Sequence, residues 1–392
     1  MAKVGLREWL AVGRVLASGR LARYGGPGEG PLNRFEAGFS KQFGIKHTLA
    51  VSSGTGALIC GLAAAGLGPG DEVLVPAYTW IATAAAVLAV GAVPVIVDID
   101  ETLTMDPADI VRRITPRTRA ILPVHMANMV CDMEAIMRIA RTHGLLVIED
   151  ACQAVGVSYR GRRTGTIGDV GAFSFNQFKN INIGEGGAVV TDSDRFFARA
   201  RMYHDVGALF RGHLDNYNEP HFFGVNLKAS QIQGAMLNVQ LKKLDPMLRR
   251  MRRRHGVMTR ILSSAQAFRL GPHNDPDNAV GLHVMFETAK EASAFAAQHR
   301  RGVYRLYDSS RHVYTNWAPV LEQRAAHPAM NPFTWTKNPV EYAPDMCARS
   351  IDILQRTCRI SLGENYPVPL MAYLARRMVG GEVSQRRLSY AA

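Results

Sequence analysis

The chain has 392 residues, 47% apolar and 20% charged, enough to bury a sizeable core in two or three domains, or in one large domain and a smaller one. That balance excludes a largely disordered chain or a coiled coil, and the 36 Gly and 19 Pro follow no collagen-like period. The net charge of +13 suits anionic substrates or nucleic acid, but no zinc-finger spacing or aromatic ladder accompanies the densest basic run, residues 249–254, so that run reads as a solvated helix face and no nucleic-acid partner is expected.

Residues 1–30 read as a helical arm closed by a Gly/Pro loop over 24–31. Arg7, Glu8, Arg14, Arg20 and Arg23 interrupt the arm, so it does not read as a signal peptide. Strand-like runs follow at 47–51, 72–75, 93–97, 120–124, 145–149, 170–175 and 187–191, with helical stretches at 55–65, 81–90, 107–112 and 132–141. Apolar strands alternating with helices predict an α/β fold with a mainly parallel sheet buried on both faces. Thr55 and Asp132 stand where helix N-caps are needed, and Gly66 and Gly144 where C-caps are. The apolar stretch 80–97 contains Gly91 and Pro94 and reads as helix turning into strand rather than a membrane span.

From 229 to 262 the pattern predicts long helices interrupted at Asp245-Pro246. A strand at 280–286, a helix at 288–299 opened by a Thr288/Glu291 capping box, and a strand at 303–307 then suggest a smaller α/β domain. The expected division is an arm at 1–30, a large domain at 31–249 and a small C-terminal domain at 250–392. Residues 308–345, rich in Pro, Asn, His and aromatics, have no period and read as irregular chain near a substrate. Cys60, Cys131, Cys152, Cys347 and Cys358 are odd in number and form no C-x-x-C pair. Reduced thiols, a cytoplasmic location and no metal site are expected.

Chemistry concentrates at the ends of the predicted strands. Asp150 ends the run Val147-Ile148-Glu149-Asp150, where α/β sheets gather ligands, although an Asp after a strand can equally cap a helix. Lys179 follows Phe173-Ser174-Phe175 and precedes the cluster Gly184-Glu185-Gly186-Gly187. A partly desolvated lysine there is a usable amine nucleophile, against the plainer reading of a surface lysine before a turn. Ser52-Ser53-Gly54-Thr55-Gly56 joins a strand to a helix and can point amides at an anion. Trp80 follows another strand and could pack in the core or stack on a flat ring. A lysine, an Asp, an anion cup and an aromatic platform together are what pyridoxal phosphate needs.

These motifs, with Gly68-Pro69-Gly70-Asp71-Glu72-Val73, Pro76-Ala77-Tyr78-Thr79-Trp80, Pro123-Val124-His125 and Lys179-Asn180, resemble in order and spacing the DegT/DnrJ/EryC1/StrS family of sugar aminotransferases, through about residues 20–245. The resemblance implies a fold type I enzyme using pyridoxal 5'-phosphate, with pyridoxamine phosphate as intermediate. Lys179 would be the Schiff-base lysine and proton carrier, Asp150 the partner of the ring nitrogen, and Trp80 the stacking residue. Gly54, Thr55 and Ser174 would hold the phosphate, and Gln153 would lie beside the ring. Asn226 would reach the phosphate in the neighbouring subunit's site, which implies a homodimer with shared sites. Lys228 stands where many members carry Arg and, with Tyr314 and Trp317, is a candidate substrate contact. Lysine rather than histidine at position 179 points away from the family's dehydratases and leaves an aromatising variant open. The implied reaction moves an amino group from glutamate or glutamine to a keto-sugar, nucleotide-linked in many members, or to a cyclitol ketone. A cofactor-binding regulator is the alternative from another class.

Overall fold

The computed structural model describes residues 3–24, 30–208, 219–335, 340–362 and 366–389; most of the Gly/Pro loop expected at 24–31 lies outside them. Nine strands belong to the first half: β1 His47–Val51, β2 Glu72–Pro76, β3 Val93–Val97, β4 Thr118–Ile121, β5 Leu146–Asp150, β6 Ser158–Tyr159, β7 Arg162–Arg163, β8 Val170–Ser174 and β9 Gly187–Thr191. β6 and β7 form a small hairpin, and the other seven make one sheet in the order β1-β9-β8-β5-β4-β2-β3. β3, β2, β4, β5 and β8 run parallel, while β9 is antiparallel to both β8 and β1. The predicted, mainly parallel buried sheet is therefore present: every residue of β2, β3, β8 and β9 is buried. Pro94 is accommodated because β3 is an edge strand, where a missing donor leaves no ladder bond unmade.

Helices cover both faces. α1 is Leu6–Ser18, α2 Pro31–Phe43, α3 Gly54–Ala64, α4 Ala82–Ala89, α5 Pro107–Arg113, α6 Met133–His143, α7 Asp194–His204 and α8 Gln231–Leu262. The cap of α3 is Ser53 and not Thr55: its side chain accepts from the Gly56 amide at 2.9 Å, which places Thr55 inside the first turn. Asp132 caps α6 as expected, and Gly144 closes it in a left-handed conformation at φ 63°. Helices α2 and α7 were not anticipated. The Phe35, Phe39 and Phe43 stripe of α2 packs on Phe173 and Phe175 behind β8, with Phe39 and Phe43 stacked at 3.8 Å.

One helix replaces the interrupted pair expected over 229–262. α8 runs through Pro246 without a break. Proline removes only the bond to the Lys242 carbonyl, and the burial of Leu244, Met247, Leu248 and Met251 on one stripe holds the helix together. Asp245 turns outward to Arg163 Nη2 at 2.6 Å and Gln42 Nε2 at 3.1 Å instead of capping a second helix. The expected boundary at 249/250 falls inside this helix. The basic run there is not uniformly solvated either: Met251 and Arg254 are buried, and Arg254 donates to the Tyr366 carbonyl at 3.1 Å.

Beyond α8 a four-stranded sheet comprises β10 Arg269–Leu270, β11 His283–Met285, β12 Val303–Arg305 and β13 Thr357–Ile360, in the antiparallel order β10-β11-β13-β12. α9, Ala289–Gln298, starts with the predicted Thr288/Glu291 capping box. The stretch 308–345, expected to be irregular, has no strand among its described residues but carries several short helical turns: Leu306–Ser309, Tyr314–Asn316, Ala318–Leu321, Pro328–Met330 and Pro332–Thr334. Among the described residues no helix is long and apolar enough to cross a membrane.

Candidate active site

β1, β2, β4, β5 and β8 present their carboxyl ends at one edge of the large sheet, where the crevice of an open α/β sheet lies. A cavity of about 810 Å³ occupies that edge. It is lined by Gly54, Thr55, Trp80, Asp150, Gln153, Ser174 and Lys179, so seven of the residues singled out from the sequence come together.

Asp150 is buried at the last position of β5, and alternation sends its neighbour Glu149 to the opposite face. Asp150 Oδ2 accepts from Thr83 Oγ1 at 2.9 Å and Oδ1 from the Cys152 amide at 3.1 Å, which fixes its direction. Glu149 accepts from the amides of Gly165 at 2.8 Å, Ile167 at 2.6 Å and Gly168 at 2.6 Å, and from His125 Nε2 at 2.9 Å. Burial alone would raise the Glu149 pKa, but the His125 contact and the amides outweigh it and hold it down. The Cys131 amide donates to His125 Nδ1 at 3.1 Å, so the ring proton sits on Nε2, facing Glu149. This network ties down the loop under the cavity floor.

Lys179 is half-buried, with its amide bonded to the Asn176 carbonyl at 2.9 Å. The next residue anchors the loop: Asn180 Nδ2 donates to Asn128 Oδ1 and to the Val155 carbonyl, each at 2.9 Å. Opposite lies the start of α3. Its first amides have no acceptor within the helix, and Ser53 takes only that of Gly56. Those of Gly54 and Thr55 stay directed at an incoming anion beside the buried Ser174. Gly54 is pressed onto that wall: a Cβ there would lie 2.6 Å from Ser174 Cβ. The volume, the buried carboxylate, the amine and the anion cup suit a flat, phosphorylated aldehyde such as pyridoxal phosphate.

Four other residues singled out from the sequence lie outside this cavity, Asn226 among them as its expected role in a neighbouring subunit's site requires. Tyr314 does not face the cavity: it is fully buried in the core, donates to the Pro344 carbonyl at 2.5 Å and accepts from the Cys347 amide at 3.2 Å. Trp317, fully buried in the same cluster, donates to the Arg311 carbonyl at 3.3 Å. Asn226 is exposed outside the cavity of its own chain, and Lys228 forms an ion pair with Asp205. The segment does reach the cavity, but through Arg311 and His312, joined by Tyr304 and by Arg359 from β13. Sequence reasoning missed all four as site residues, and Arg359 carries no local signal at all. Among the described residues all five cysteines are free and buried, and no group of three or more metal-ligating side chains occurs.

A family model described as the DegT/DnrJ/EryC1/StrS aminotransferase family matches residues 6–327. GDP-perosamine synthase of Caulobacter vibrioides is 45% identical over 215 residues, 54% of this chain and 56% of that protein. L-glutamine:2-deoxy-scyllo-inosose aminotransferase of Streptoalloteichus tenebrarius is 39% identical over 270 residues, 66% of this chain and 63% of that protein. The chain thus spans somewhat over half the length of these two relatives. The solved structure of S. venezuelae DesV superposes with a TM-score of 0.76 at 31% identity, covering 95% of this chain and 94% of that one. The chain belongs to the DegT/DnrJ/EryC1/StrS aminotransferase family, whose members use pyridoxal phosphate on a type I fold.

Proposed function

We propose that the protein is an aminotransferase that moves an amino group from glutamate or glutamine to the ketone of a sugar or cyclitol. The observation that carries the reading is the placement of Lys179, Asp150 and the first turn of α3 around one cavity. When bound, pyridoxal phosphate supplies an electron sink for the pair released as a substrate C–H bond breaks. The Asp150 carboxylate, held by Thr83 and the Cys152 amide, would keep a proton on the ring nitrogen. Lys179 Nζ, at the cavity wall, would be the group that accepts and returns the proton in that exchange. Gly54, Thr55 and Ser174, at the start of α3 and the end of β8, would hold the phosphate, and Trp80 and Gln153, which line the same cavity, would hold the ring.

The protein acts as a homodimer in which Asn226 serves the partner's site; its exposure outside its own cavity supports this reading. Lys228, neutralised by Asp205, positions that loop rather than gripping substrate. Relatives named for a nucleotide-linked sugar and for a cyclitol support both acceptor classes.

The test is the visible spectrum of the protein loaded with pyridoxal phosphate, before and after adding glutamate or glutamine. Loss of the lysine-bound absorption with one donor is expected. A Lys179→Ala variant that keeps full turnover would overturn the assignment.

A further inference from the structure

The outer end of the cavity is built by the segment 308–312 and the edge of the small sheet, and its polar groups are not satisfied by the protein. Ser309 Oγ and His312 Nδ1 are both shielded from solvent and have no hydrogen-bond partner among the described residues. Buried polar atoms are rarely left so, unless a ligand or water completes them. Ser310 between them holds a left-handed backbone at φ 45°, an uncommon conformation for a residue with a side chain.

The charge balance points the same way. The carboxylates that line the cavity are engaged: Asp150 by Thr83, Glu185 by Asn176 Nδ2 at 2.9 Å, and Asp308 by both Nε and Nη2 of Arg305 at 3.1 and 2.6 Å. The lining cations Lys179, Arg311 and Arg359 have no carboxylate partner among the described residues. Arg311 lies over the Trp80 ring at 5.7 Å, and among the described residues the Arg359 guanidinium donates to Tyr304 Oη at 2.9 Å and to no other side chain. Arg359 reaches the cavity because Cys358 and Ile360, its neighbours on β13, face the small-domain core. Burial, then the charges of Lys179 and Arg311, push His312 down to about 4, so the imidazole adds a neutral polar group beside the guanidinium groups.

We propose that Arg311 and Arg359, with Ser309, His312 and Tyr304, form a subsite for an oxyanion carried by the substrate at the end remote from the reacting carbon. Two planar forks match a carboxylate or a phosphate, and the stacking on Trp80 holds one fork in place. The anion has two possible sources: the side-chain end of a dicarboxylic amino donor, or a phosphate on the acceptor. The subsite rests on the aminotransferase reading for its role and not for its existence.

The experiment is calorimetric titration of the cofactor-loaded full chain with glutarate and, separately, with inorganic diphosphate, alongside the Arg311→Gln and Arg359→Gln variants. At least one probe should bind the unaltered protein, and each variant should weaken it roughly 10- to 100-fold, the range for loss of a charge-assisted bond. Preference for glutarate assigns the anion to the donor, and preference for diphosphate assigns it to the acceptor. Arg359→Lys, which keeps the charge without the fork, should recover only part of the affinity. Failure of both probes to bind, or binding within about twofold of the unaltered protein in both variants, overturns the subsite. The lysine-bound absorption recorded on the same samples reports the cofactor reading independently, so the two ideas can fail separately.

Discussion

Thr83, in the first turn of α4, donates its hydroxyl proton to Asp150 Oδ2 at 2.9 Å, and the Thr79 hydroxyl, 2.8 Å from Thr83 Oγ1, completes the relay. All three side chains are buried. Thr83→Val keeps the shape and removes a bond to a charged group, worth about 1.5–3 kcal/mol. Cofactor Kd, measured by equilibrium titration, should rise about tenfold or more while the far-ultraviolet dichroism stays constant. An unchanged Kd would mean that the Cys152 amide alone suffices to orient the carboxylate.

Gly54 faces Ser174 so closely that no methyl fits: beyond Ser174 Cβ, an added Cβ would also meet Ser174 Oγ at 3.0 Å and Cys152 Sγ at 3.2 Å. Gly54→Ala must push α3 away from β8 and open the anion cup. Inorganic phosphate should then compete poorly with the cofactor, and cofactor should be lost on dialysis at a rate several times that of the unaltered protein. Equal retention would place the phosphate elsewhere.

His255, His273 and His283 form a row in the small domain, with ring centroids 5.3 and 5.7 Å apart. Burial, reinforced for His273 by the other two, lowers all three, His283 to about 4 and His273 to about 3. These folded values lie below the unfolded value of about 6.5, so under pH 6.5 the unfolded chain binds protons that the folded chain refuses. Stability is complete above that pH and declines as pH falls toward 4. Denaturant titrations between pH 7 and 4.5 should show the decline, with a shallower slope for His273→Gln. An identical slope in the variant would remove the row from the account.

Pro246 interrupts the hydrogen bonding of α8 without ending the helix. Pro246→Ala restores a donor to the Lys242 carbonyl and should add roughly 1–3 kcal/mol of stability, seen as a higher denaturant midpoint with the same m-value. A lower midpoint would show that the packing of Met247 and Leu248 requires the proline's local geometry.

The large sheet was legible because its strands are short β-branched runs bounded by turns; β1, β3 and β9 occupy the stretches the pattern marked. Lys179 and Asp150 were legible as candidates for a related reason: Asp150 is a carboxylate closing the apolar β5, and Lys179 is a cation in the short connection between the buried strands β8 and β9. The far end of the cavity was not. Arg311 and Tyr314 stand three apart in an aperiodic segment, and nothing local says that the arginine turns to the cavity while the aromatic turns to the core. Arg359 reaches the site only through the pairing of β13 with β11 and β12, remote in sequence. The α8 misreading came from treating proline as a stop when a long buried stripe outweighed it.

The strand order β10-β11-β13-β12 has a consequence for synthesis. β11 and β12 are made first, yet they do not pair; the slot between them waits for β13, the last strand among the described residues. Arg359 rides on that strand, so a nascent chain that already carries Lys179 and Asp150 still has an unfinished pocket mouth. The small sheet closes by a long-range pairing, a step whose loop-closure cost makes it slow. Competence to hold an anion at the outer subsite should therefore arrive last in refolding, after the large sheet has formed, when the two parts of the molecule close one pocket.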